Sequence, residues 1–223
     1  MMNKVFAAAV SAAMVLPVSA SALAILNSAA DFDSVVASST QVTLPDLGKV
    51  GTGPVGVGPL TFDSLSGDLF LGGGFDSTLI PSGGSDTAIS GLENLAIDIA
   101  GGATGIGFYI HEPTNSSAGR VDVCNTACVK SEFTISAFLS GALVGSTVFN
   151  PVSDTADFIG LFDVGGIDRI EIIETTGTND NEFFGGFVVG RGITAVPVPA
   201  SLPLLLAGLG GLAGLARKRR YRA

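Results

Sequence analysis

Phe133-Thr134-Ile135-Ser136-Ala137-Phe138-Leu139 decides the class of fold. Phe133, Ile135, Ala137 and Leu139 share one face of an extended chain, and Thr134, Ser136 and Phe138 share the other. That period of two belongs to a half-buried β-strand. Arg169-Ile170-Glu171-Ile172 alternates in the same way. Outward from these, short β-like runs recur at 41–44, 69–71, 95–99, 106–110, 143–149, 157–162 and 183–189, with the alternating pair itself at 133–139 and 169–173. Ser82-Gly83-Gly84, Gly101-Gly102 and Gly165-Gly166 read as turns between runs. No window of helical length carries a 3.6-residue period. The pattern predicts an all-β chain, an antiparallel β-sandwich of jelly-roll-like type, over residues 25–189. Residues 48–59, dense in Gly and Pro, are expected to be a loop, and 190–196 a short linker.

Charge divides the chain in the same place. All 20 acidic residues lie between Asp31 and Glu182. From Ile25 to Ala195 there are only five basic residues, so that segment carries −15, against −9 for the whole chain. So acidic a body lacks the cationic surface that phosphate contacts require, which excludes nucleic acid as a partner. It suits a soluble, exported domain that attracts cations.

Both ends read as routing signals. Residues 1–24 have Lys4, an apolar stretch from Val5 to Val18 and small residues at Ala20-Ser21-Ala22 and Ala22-Leu23-Ala24, either of which fits a signal-peptidase site. An uncleaved anchor is the alternative; Pro17 and the short run favour cleavage after export through the Sec machinery. At the other end, residues 200–216 form an apolar span that would extend roughly 26 Å as a helix, just short of the hydrocarbon thickness of a bilayer. Arg217, Lys218, Arg219, Arg220 and Arg222 follow it and are expected to stay cytoplasmic. Gly210 and Gly214 make one GxxxG, a weak signal for helix pairing.

The order Val196-Pro197-Val198-Pro199-Ala200, apolar span, basic tail resembles the PEP-CTERM sorting domain, nearest its Val-Pro-Leu-Pro-Ala-type variant. The resemblance covers 197–223 and the residue before it. It implies an exosortase as processing enzyme, an inner-membrane precursor facing the periplasm, and a mature protein at the cell surface or in the extracellular matrix, associated with exopolysaccharide and biofilm. Val198 stands where the name-giving motif has Glu, which bears on which exosortase acts. Two prolines hold this segment extended, the form a protease cleft grips, so it is a recognition site and not a catalytic one.

Within the body, Cys124 and Cys128 are the two cysteines. In an exported chain they are expected to form a small-loop disulfide. A zinc site is the rival reading, and it lacks ligands beyond the single His111. With one His, no Gly-x-Ser-x-Gly elbow and no Walker lysine, the chain reads as non-enzymatic. Gly51-Thr52-Gly53-Pro54-Val55-Gly56 matches GxGxxG, but the prolines oppose the helix a dinucleotide site needs, so this is read as loop. Leu71-Gly72-Gly73-Gly74-Phe75-Asp76 nearly matches one calcium nonapeptide without tandem copies.

No cofactor is required. Calcium is a secondary possibility at Asp163, Asp168, Asp180 and Glu182, against the simpler reading of these as solvated loop acids. A carbohydrate- or calcium-binding module is the alternative function. It has no Trp, and only Tyr109 and Tyr221, to offer as sugar platforms. A polysaccharide hydrolase ranks last.

Overall fold

A computed structural model describes residues 22–73, 78–89, 93–113, 131–176 and 182–194. Its elements are β1 (Ala24–Leu26), α1 (Ala29–Val35), β2 (Val36–Gln41), β3 (Gly48–Gly51), β4 (Val55–Val57), β5 (Leu60–Ser64), β6 (Leu69–Leu71), β7 (Thr87–Ile89), β8 (Leu95–His111), β9 (Glu132–Leu139), β10 (Ala142–Phe149), β11 (Ala156–Thr176) and β12 (Phe183–Ile193). Strand pairing among the described residues is antiparallel throughout.

Two long strands organise the sandwich. The first half of β11, Ala156 to Phe162, pairs with His111 to Gly105 of β8; its second half, Arg169 to Ile172, pairs with Asp98 to Leu95. Between the halves the register breaks. There Gly101, Gly102 and Gly166 take φ of 73°, 67° and 106°, values that favour glycine. Gly101-Gly102 and Gly165-Gly166, expected to be turns, are therefore bends inside continuous strands, while Gly83-Gly84 lies between β6 and β7. A left-handed glycine serves a bulge as readily as a hairpin, so its presence alone does not separate the two.

The bent ribbon feeds two sheets. One runs β4-β5-β8-β11-β9-β10 through the N-terminal half of β8 and the C-terminal half of β11. The other runs β1-β11-β8-β12 through the opposite halves, with β2 along one end of β12 and β7-β6-β3 leading from the other. Strands that switch sheets at bends are how sandwiches make corners.

Aromatic rings join the layers. Phe62 of β5 meets Phe187 of β12 edge-on at 5.1 Å, and Phe133 of β9 meets Phe184 of β12 at 5.8 Å. The alternation in β9 holds: Phe133, Ile135 and Ala137 are fully buried, while Thr134, Ser136 and Phe138 are half-buried. The all-β, antiparallel sandwich expected from the strand pattern is the fold.

Other local expectations fail. The predicted loop 48–59 contains β3, paired with β6, and β4, paired with β5. Both are edge strands, where Gly and Pro cost little because one side makes no ladder. For the same reason Gly51–Gly56 is not purely loop. The run at 41–44 is displaced: the strand is β2, 36–41. The linker 190–196 is largely strand, since β12 continues to Ile193, opposite Val36. Helix α1 went unpredicted because seven residues are too few for a helical period. Ser28 caps it, accepting from Asp31 N at 3.1 Å.

Phe32 of α1 lies over the outer face of the second sheet. A Cβ on Gly105, Gly160 or Gly190 would come within 2.9 Å of its ring, so three adjacent strands present a glycine floor to this one side chain. Among the described residues no helix is long and apolar enough to cross a membrane. The apolar span 200–216 lies outside them, as do residues 1–21 of the expected leader, Cys124 and Cys128.

Candidate functional site

Five polar residues close one end of the core. On β8, Ile106, Phe108 and Ile110 point inward, and the next inward position is Glu112. At the other end of the same strand Leu95 and Ile97 are inward, and the position before them is Glu93. The rule repeats with Ser131 before Phe133, Glu174 after Ile172, and Glu182 before Phe184. Side chains two residues apart share a face of a strand, so each of the five continues an apolar stripe with an oxygen-bearing residue. The bend in β8 returns both of its ends to the same place.

Hydrogen bonds tie the five together. Ser131 N donates to Glu112 Oε1 at 3.0 Å, and its hydroxyl donates to Glu174 Oε1 at 3.3 Å and to Glu182 Oε1. Glu93 N donates to Glu174 Oε2 at 2.9 Å, Glu182 N to Glu93 Oε1 at 3.1 Å, and Glu174 N to Asn94 Oδ1 at 2.9 Å. Glu93 is 0% exposed, and Glu112, Ser131 and Glu182 are 1% exposed.

Burial pushes the Glu93 carboxyl well above the usual carboxylate range. Repulsion from Glu182 and Glu174 adds to this, as does a side-chain hydrogen bond with Glu182, and the Glu182 N–H opposes it. Among the described residues no N–H or hydroxyl donor reaches Glu93 Oε2. The described basic residues are engaged elsewhere: Lys49 with Asp68, Arg169 with Asp98 and Glu171, Arg191 with the carbonyls of Gly102 and Ala100. Among the described residues, as they stand, no group of three or more acidic, His or Cys side chains is placed to hold a metal ion.

The acids singled out in the sequence do not assemble. Asp163 and Asp168 sit at the bend of β11. Asp163 Oδ1 accepts from Gly165 N at 2.6 Å, and Asp168 Oδ2 accepts from Ser140 N at 2.7 Å. Only Glu182 belongs to the cluster; Asp180, the Pro motif Val196 to Ala200 and the basic tail lie outside the described residues. His111 is buried with its ring stacked on Phe183 at 6.1 Å.

A second feature is a groove of about 580 Å³ on the outer face of the second sheet. Tyr109 and Phe158 form its floor, edge to face at 5.2 Å, and Asp33, Ser39, Gln41 and Ser82 its polar walls. Gly186 lies under Tyr109: a Cβ there would stand 2.8 Å from the ring. Gly186 therefore leaves the room that the tyrosine ring occupies beside β12.

No curated protein matches this chain. Among solved structures, a mutant of a family 29 carbohydrate-binding module is similar at 12% identity, with 73% of this chain and 100% of that chain covered and a TM-score of 0.32. At the end of the described sandwich Thr194 N–H donates to Val35 O at 3.0 Å and its hydroxyl donates to Val36 O at 2.9 Å. Residues 195–220, which begin at the next position, match the PEP-CTERM protein-sorting motif, and the chain is thus a sandwich carrying that signal for export to the cell envelope or surface.

Proposed function

We propose that this is a non-enzymatic surface or matrix protein, exported by the Sec pathway after loss of its leader and then cut at its C-terminal signal by an exosortase. Before the cut it sits in the inner membrane with the sandwich in the periplasm and the basic tail in the cytoplasm. After it, the sandwich takes its place at the cell surface with exopolysaccharide and contributes to biofilm.

The observation that carries this reading is the seam between Thr194 and the motif. The described strand β12 is hydrogen-bonded to β2 up to Ile193, and the matched motif begins two residues later. The Val198 version is read as the Val-Pro-Leu-Pro-Ala-type variant, matched to its own exosortase. Replacing Pro197 and Pro199 together by Ala is expected to leave a full-length, membrane-bound form, and unchanged release of the sandwich would overturn the reading.

The groove favours a second reading, in which the delivered sandwich binds a carbohydrate. Tyr109 offers an aromatic ring, and Asp33 and Gln41 line the same groove with acceptor and donor groups, the combination that sugar hydroxyls and C–H faces need. A glycan array with the wild type and with Tyr109→Ala tests this: binding that the substitution removes supports it, and binding that survives places the ligand elsewhere.

A further inference from the structure

Glu93 is the group in the core that asks for a cation. Its carboxylate is wholly buried. One oxygen is held by Glu182 N–H, while no N–H or hydroxyl donor among the described residues reaches the other. The same carboxylate faces those of Glu182 and Glu174. Buried acids facing one another need either a shared proton or a shared positive ion, because the interior does not solvate their charge.

We propose that Glu93, Glu174 and Glu182, with the Ser131 hydroxyl and Glu112 beside them, bind one calcium ion at the closed end of the sandwich. The donors are all oxygen, which disfavours zinc and copper. Calcium takes six to eight oxygens at about 2.3–2.6 Å in irregular geometry and accepts carboxylates by one or both oxygens, whereas magnesium demands a near-octahedral set. The donors come from strand ends that the bent ribbon gathers, so the ion would tie β8, β9, β11 and β12 together. The arrangement is open rather than finished: Ser131 Oγ stands between Glu174 and Glu182 and bonds both. Binding requires those two carboxylates to turn from the hydroxyl toward the ion, while no N–H or hydroxyl donor among the described residues holds Glu93 Oε2.

The test is thermal unfolding of the full chain, stripped with EDTA and titrated with CaCl₂ at neutral pH. Calcium a hundredfold above its Kd is expected to raise Tm by roughly 5–10 °C for a chain of this size. Glu93→Gln keeps an acceptor for Glu182 N–H but removes the charge. It should abolish the shift while leaving the metal-free Tm unchanged or higher, and Glu174→Gln should abolish it as well. Asp168→Asn, at the bend, should retain it. No shift in the wild type up to 10 mM calcium overturns the proposal and leaves protons as the neutralising partner. A shift that survives both Glu93→Gln and Glu174→Gln overturns it too, because the ion is then bound elsewhere.

Discussion

Glu182 both holds and repels Glu93. Its backbone N–H donates to Glu93 Oε1 at 3.1 Å, while its carboxylate raises the energy of the ionised Glu93 beside it. Desolvation acts in the same direction as the repulsion, and together they outweigh the single N–H.

The pH dependence follows with a definite sign. The folded pKa of Glu93 lies above its ordinary value of 4.5, so between the two the folded state binds more protons than the unfolded one. Stability then falls as pH rises from the ordinary value through the raised one. In EDTA, the urea midpoint of the wild type should decline over that window. Glu93→Gln, which does not titrate, should flatten this part of the profile.

Ser131→Ala removes the hydroxyl shared by Glu174 and Glu182 and leaves their buried oxygens short of a donor. The metal-free protein should lose about 1–3 kcal/mol, the usual cost of an unsatisfied buried polar group. Equilibrium urea unfolding reads this directly, and a neutral result would mean the two acids find another donor.

Phe187→Ala opens the centre of the core, because Phe187 touches Phe62 at 5.1 Å and Phe108 at 5.5 Å from opposite sheets. A loss of about 3–5 kcal/mol is expected from chemical denaturation. A cost below 1 kcal/mol would show that the layers are not packed through this residue.

Gly160→Ala places a Cβ 2.9 Å from the Phe32 ring, 3.1 Å from Phe158 and 3.3 Å from Leu26 Cβ. Overpacking of this kind costs about 1–3 kcal/mol. All three neighbours are side chains, so Phe32→Leu in the same molecule should recover part of the loss. Additive effects in the double mutant would show that the floor and the ring are independent.

Neutralising Arg217, Lys218, Arg219, Arg220 and Arg222 together should lower the fraction of chain retained in the membrane and processed, as the positive-inside constraint is removed. Fractionation of cells expressing the tail variant checks this against the wild type.

Alternation made the strands legible, and the Pro-rich tail made the sorting signal legible. The bends were not: Gly101-Gly102 and Gly165-Gly166 are locally identical to turns, and only the pairing of β8 with β11 on both sides distinguishes them. Helix α1 depends on Phe32 meeting glycines far away in sequence, a tertiary cause with no local period. The carboxylate cluster was partly legible. Glu174 follows Ile170 and Ile172 on the inward parity of its strand, and an acid at an inward position is a signal that strand assignment alone exposes. That Glu93, Glu112 and Glu182 meet it depends on which strand ends coincide, which only the folded ribbon determines.

Strand β12 is paired with β8 on one edge as far as Gly190 and with β2 on the other from Val188 to Ile193, and Thr194 is fastened to Val35 and Val36. A mechanical load applied to the C-terminal end therefore pulls along a strand gripped on both sides. Hydrogen bonds on two edges resist in shear at once, rather than opening one after another like a zip.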